Sequence, residues 1–201
     1  MKDEDPVRHN KRLQIIEAAV KEFQEKGFFA ASMDQISNRA SVSKRTLYKY
    51  FESKDNLFRS IIAELSDRIS VTMALEYDPA LDIRTQLTNL AMAEGTLLTS
   101  PEFMGMCRML IGESFRSPEL VASMQVKIDK TSSVIAFLKA ADAHGTLQVE
   151  KPEAAAEEFL ALIKSKAFWP VVFGADVVSQ SEMDDIIQGC VEMMLARYAS
   201  G

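Results

Sequence analysis

An all-α fold is predicted for this 201-residue chain by three observations. Apolar residues recur at three- and four-residue spacing along most of its length, which is the helical period. No sustained period-two alternation and no Asn-Gly hairpin signal interrupts them. Pro101 and Pro118 stand where helices would begin, a position at which the missing N–H costs nothing. With 47% hydrophobic residues the chain can bury a proper core. The segments divide into a small N-terminal unit over residues 1–60 and a larger helical one over 61–201.

The elements follow in order. Leu13, Ile16, Ala19, Val20 and Phe23 define a first helix, with Gly27 as its C′ residue. Ser32 caps a short second helix whose inner face carries Ile36 and Ala40. Ser41-Val42-Ser43 then supplies a turn, a buried plug and an N-cap. A third helix follows with Leu47 and Phe51 on one face. Ser53 or Lys54 opens a long helix through Leu57, Ile61, Ile62, Leu65 and Ile69 to about Leu75, and Asp78-Pro79 breaks the chain. Ala80–Thr99, Pro101–Phe115 and Pro118–His144 read as three further helices, Gly145-Thr146-Leu147 as a turn. Pro152–Phe173 and Ser181–Ala199 read as the final pair.

The third helix carries the chemistry. Burying Leu47 and Phe51 turns Arg45 and Lys49 outward, flanked by Thr46 and Tyr48, with Lys44 in the first turn. A short helix with this face suits the DNA major groove, entering by its N-terminal residues. Lys or Arg can donate to guanine O6 and N7, and the Thr methyl can pack on a thymine methyl. Tyrosine hydroxyls reach phosphates, which fix register without reading sequence. Ser43 caps this helix, whose start also suits a phosphate, and Lys54 is placed as a second phosphate clamp. Taken alone, such a face is also what an ordinary solvated helix shows.

The whole string is more specific. Phe28-Phe29-Ala30-Ala31-Ser32, then Ile36, Ala40, Val42 and Ser43, then Thr46-Leu47-Tyr48-Lys49-Tyr50-Phe51 with Ser53, Lys54, Asp55 and Leu57 resembles the N-terminal domain of TetR-family transcriptional regulators. The resemblance is dense from Arg12 to Phe58. It implies an N-terminal three-helix helix-turn-helix DNA-binding domain, a C-terminal helical ligand-binding and dimerisation domain, and a homodimer. The family's recognition contacts would fall on Lys44, Arg45, Thr46, Tyr48 and Tyr50, and its phosphate contacts on Ser32 and Lys54. Members vary widely at the position of Arg45, so no base preference is carried over. A weaker similarity, Met106 to Glu113 with Pro118-Glu119-Leu120, is to the effector domain of the AefR-like branch. The arrangement usual in the family is repression at a palindromic double-stranded operator, relieved by a small effector.

Charge agrees in sign. Residues 1–60 hold 12 Lys and Arg against 9 Asp and Glu, leaving +3, while the remaining 11 against 20 leave −9 and the whole chain −6. A basic head on an acidic body confines DNA attraction to one end. Two cysteines, Cys107 and Cys190, lack a neighbouring ligand at zinc spacing, so no metal site is expected and a reducing compartment fits. No apolar run approaches the roughly 18 residues a membrane span needs, and the N-terminus has no signal core. The expectation is a cytoplasmic protein with no membrane partner. An enzyme finds little support: His9 and His144 are the only histidines, no Gly-rich phosphate loop occurs, and no cofactor is implied. Glu94 and Glu113 are expected to be solvated or salt-bridged rather than catalytic. A helical adaptor would explain the apolar stripes but leave the Lys44–Tyr50 face without a purpose.

Two features of the larger region stay open. Met92, Phe103, Met104, Met106, Met109, Phe115 and Met124 gather flexible apolar side chains suited to a hydrophobic effector, though such stripes more often serve as plain core. Met92, Phe103, Cys107, Ile111, Phe137 and Trp169 are the candidate lining. The last two helices carry Ala154, Ala155, Phe159, Leu162, Ile163, Lys166, Trp169 and Val172, and Met183, Ile186, Ile187, Cys190, Val191, Met194 and Leu195. These stripes suit either the chain's own core or a four-helix contact with a second copy. The resemblance favours the dimer.

Overall fold

The computed structural model describes residues 6–124 and 131–200. They form eleven helices, and their one β-bridge is an isolated pair, so the all-α expectation holds. The helices are α1 (Pro6–Lys26), α2 (Met33–Arg39), α3 (Lys44–Tyr50), α4 (Lys54–Thr72), α5 (Ile83–Leu98) and α6 (Pro101–Arg116). They continue with α7 (Pro118–Ser123), α8 (Ser132–Ala143), α9 (Pro152–Ala167), α10 (Trp169–Val172) and α11 (Gln180–Tyr198). Contacts group the chain into two compact units, one of Met1–Leu65 with Gly105–Lys127 and one of Ser66–Met104 with Ile128–Gly201.

Several expected boundaries change. The segment 152–173 is two helices, because Pro170 lacks an N–H and its ring crowds the carbonyl four residues back, so α9 stops at Ala167. The segment 118–144 holds α7 and α8, with residues 125–130 of that expected helix outside the described set. Its second helix starts at Ser132, after Thr131 at φ −130°. The long fourth helix ends at Thr72 rather than Leu75. The last helix begins one residue early because Ser179 and Glu182 form a reciprocal capping box.

In the first unit, Ile15, Ile16, Ala19 and Phe23 of α1 and Leu57, Phe58, Ile61 and Leu65 of α4 are buried. Phe23, Phe28 and Phe58 meet with ring centroids 5.3–5.6 Å apart, which fixes where the chain leaves α1. Gly27 at φ +76° makes that exit, as expected of a C′ glycine. Arg12 pairs with Glu64 at 3.0 Å. At the far end of α1, Gln24 donates to the Gly105 carbonyl at 2.8 Å. Arg116 binds the buried Glu113 carboxylate at 3.0 Å and also reaches the Phe23 carbonyl. A cation suits those C-terminal carbonyls of α1.

In the second unit α11 packs on α5 and α9, and α8 packs on α9. Gly95 permits the α5–α11 approach: a Cβ there would lie 3.1 Å from Met183. Glu94, almost wholly buried on α5, pairs with Lys164 of α9 at 3.2 Å, the structural role expected for it. Met183, Ile186, Ile187, Cys190, Val191 and Met194 of α11 are buried inside the chain's own unit, as are Ala155, Phe159 and Ile163 of α9. A different side of these two helices stays open. It holds a groove of about 360 Å³ lined by Ala161, Leu162, Ser165 and Met193 among others. Leu147 bridges Ala199, so the turn after α8 is tied to the end of α11.

Candidate nucleic-acid interface

The helix pair α2–α3 is built on a narrow buried strip. Ile36, Ala40, Leu47 and Phe51 are each 0–2% exposed, which fixes the relative rotation of the two helices. Ser32 accepts from the Gln35 N–H at 3.2 Å and Ser43 from the Thr46 N–H at 3.0 Å, so both expected caps form. The turn between them puts Ser41 at φ +51°, the one left-handed non-glycine position among the described residues. The Gln14 amide of α1 donates to the Ala40 carbonyl at 2.8 Å and braces that turn. Arg39 grips Glu25 with both guanidinium nitrogens (2.9 and 2.5 Å) and reaches Glu22 at 3.3 Å. Val42, expected as a buried plug, is only half-buried; its N–H bonds the Ser37 carbonyl instead.

With Leu47 facing inward, Lys44, Arg45, Tyr48 and Lys49 are exposed. Tyr48 stands 49% open. Thr46 and Tyr50 are half-buried: the Thr46 and Ser43 hydroxyls share a 2.8 Å hydrogen bond, and the Tyr50 ring leans on Phe51. Lys44 pairs with Asp34 of α2 at 2.6 Å. Lys54 is tied into the fold, donating to the Phe29 and Ala31 carbonyls at 3.0 and 2.9 Å and lying over the Phe28 ring. Its ammonium therefore fastens the loop after α1 to the start of α4. Seven of the nine candidates lie on or cap α3, with Ser32 at the start of α2 and Lys54 at the start of α4. Arg39, Gln14 and Asp34 were not foreseen. Their partners lie 10–26 residues away, beyond the reach of helical spacing.

The candidate effector residues are less unified. Cys107 and Ile111 fall in the first unit, and Met92, Phe103, Phe137 and Trp169 in the second. Phe103, Cys107 and Phe137 are buried and Ile111 half-buried. Met92 lines a groove of about 380 Å³ with Thr88, Ile187 and Val191, while Trp169 stacks on Phe173 and is half exposed. Burial pushes the Cys190 thiol up to about 12. Among the described residues no group of His, Cys, Asp or Glu could hold a metal, and no helix is long and apolar enough to cross a membrane.

Comparison with known proteins settles the family. Residues 85–200 match the AefR-like transcriptional repressor C-terminal domain, and residues 15–61 match bacterial regulatory proteins of the tetR family. The chain belongs to the TetR family. That is a family of DNA-binding transcription regulators, not of enzymes. A crystal structure of a TetR-family regulator from Pseudomonas syringae pv. tomato is 34% identical, with a TM-score of 0.83 over 96% of this chain and 98% of that one. The flavonoid-responsive regulator FrrA is 27% identical, with a TM-score of 0.70 over 95% and 98%. Curated relatives match over shorter stretches. The transcriptional activator FasR of Mycolicibacterium smegmatis is 39% identical over 31% of this chain and 28% of its own. The repressor NicS of Pseudomonas putida is 41% identical over 27% and 26%. The first three curated relatives are spanned over 28–54% of their length.

Proposed function

We propose that this TetR-family chain is a ligand-responsive transcriptional repressor that binds a palindromic double-stranded operator as a homodimer and is released by a small hydrophobic effector. Residues 1–60 would form the DNA-binding domain and 61–201 the effector and dimerisation domain, in the cytoplasm. The observation that carries the reading is the division of α3: Leu47 is fully buried while Lys44, Arg45, Tyr48 and Lys49 are exposed together. Lys44, Arg45 and Thr46 are the base-reading candidates. Ser32, Ser43, Tyr48, Lys49, Tyr50 and Lys54 are candidates for positioning on the backbone. Repression rather than activation is favoured by the AefR-like repressor domain over residues 85–200, although FasR is named an activator.

Dimerisation through α9 and α11 is supported by their open side, where Met193 is 58% exposed beside Leu162. A hydrophobic effector is supported by the Met- and Phe-rich α6, which carries Phe103, Cys107 and Ile111. The name of FrrA points the same way, toward an aromatic small molecule. Mobility shift against DNA flanking the chain's own gene tests the reading, together with light scattering. Binding by a particle of twice the 22.4 kDa chain mass supports it. Absence of any shift sinks the operator claim, and a 22.4 kDa particle sinks the dimer.

A further inference from the structure

The basic residues at the α3 face are not equivalent. Arg45 and Lys49 are exposed and have no ion-pair partner among the described residues. Lys44 differs: its ammonium lies 2.6 Å from Asp34 Oδ2, and both side chains remain more than half exposed. Asp34 sits in the first turn of α2, where the helix dipole favours a carboxylate. The pair therefore joins the two helices of the motif at the surface that would face DNA.

Sequence-independent binding draws its free energy from cations that displace counterions at phosphates. A lysine already neutralised by a carboxylate gives less when it nears a phosphate. Reading a base edge makes a different demand. An ammonium has three donors, so Lys44 can keep one on Asp34 and aim the others at an acceptor such as guanine O6 or N7. We infer that Asp34 is a specificity-determining residue that acts through Lys44, lowering affinity for random DNA while orienting the ammonium toward a base. This rests on the DNA-binding reading above and adds a suppressor of non-specific binding to it.

The test uses the full chain and a short labelled duplex of random sequence, followed by fluorescence anisotropy across a salt series. The variants are Asp34→Asn, Lys44→Ala and the two combined. Asp34→Asn is expected to bind the random duplex about two- to five-fold tighter, the range of an exposed ion pair. It should also steepen the salt dependence by up to about 0.9 in log–log slope, as one more phosphate contact requires. In the Lys44→Ala background the same change should do neither. Restoring the acid as Asp34→Glu should return affinity and slope toward the starting values. An equal gain with and without Lys44 would overturn the inference, because it would show general repulsion by the carboxylate. Unchanged affinity and slope in Asp34→Asn would also overturn it while leaving DNA binding intact. No binding of any duplex by the unaltered chain, even at low salt, would overturn the DNA-binding reading and the role of Asp34 with it.

Discussion

Arg116→Ala is the perturbation whose size follows most directly from the first unit. Glu113 is 1% exposed, its carboxylate is bound by Arg116 at 3.0 Å, and Arg116 also reaches the carbonyls of Phe23 and Gln24 at 3.4 and 3.5 Å. Removing the guanidinium leaves a carboxylate buried without that partner, against the C-terminal turn of α1. Breaking a fully buried pair costs about 3–5 kcal/mol. Arg116 is half exposed, so water can partly replace it, and the expected loss is about 2–3 kcal/mol. For a chain of this size each kcal/mol moves Tm by about 2–4 °C, so Tm should fall by about 4–12 °C. Thermal unfolding by circular dichroism at one fixed protomer concentration measures it. Adding Glu113→Gln to Arg116→Ala removes the orphaned charge and should recover at least half the loss. A single variant that melts within about a degree of the unaltered chain would refute this reasoning, as would a double variant no more stable than the single one.

Four further outcomes are expected. Leu47→Ala, at a fully buried site on α3, should cost about 2–5 kcal/mol by chemical denaturation and abolish DNA binding by loosening the helix pair. Ser41→Gly relieves the left-handed backbone at φ +51° and should raise stability by up to about 1 kcal/mol, read as a Tm increase. Acidification should destabilise the fold. A hydrogen bond from Arg39 lowers Glu25, one with Thr85 lowers Asp82, one with Lys139 lowers Glu153 and one with Ser179 lowers Glu182. A lowered folded-state value means stability present above the ordinary 3.8–4.5 and lost as pH falls through the folded values, which a pH series of melts will show. Cys190 runs the other way: raised by burial from 9.0 to about 12, it contributes stability below pH 9.0 that is lost as pH rises toward 12. Its thiol should accordingly resist a disulfide reagent at neutral pH until the chain is unfolded.

Periodicity and caps carried the fold a long way. The α1 stripe, the C′ role of Gly27 and the N-caps Ser32 and Ser43 are local chemistry, and all take the expected form. Pro170 is legible too, since a proline inside a helical pattern ends it even where an apolar stripe runs on around it. The capping box of Ser179 and Glu182 was equally visible as Ser-x-x-Glu. Other features had no local signal. Ser41 adopts a conformation that serine seldom takes, imposed by the helix pair rather than by its own propensity. The bonds of Gln14, Arg39 and Lys44 join residues brought near only by tertiary packing. For the effector candidates, helical spacing marks an apolar face but not what covers it. Phe103 and Phe137 are buried, whereas Met92 and Trp169 are half exposed.

In-vitro selection of duplex DNA by the full chain, followed by binding of the enriched sequence to the unaltered protein and to Lys44→Ala with Tyr48→Ala, tests the central claim most directly. An enriched palindrome is expected, with half-sites about one helical turn, or a multiple of it, apart. The paired substitution is expected to abolish this binding while the dimer stays folded. Enrichment of no sequence, or undiminished binding by the doubly substituted protein, would contradict that claim.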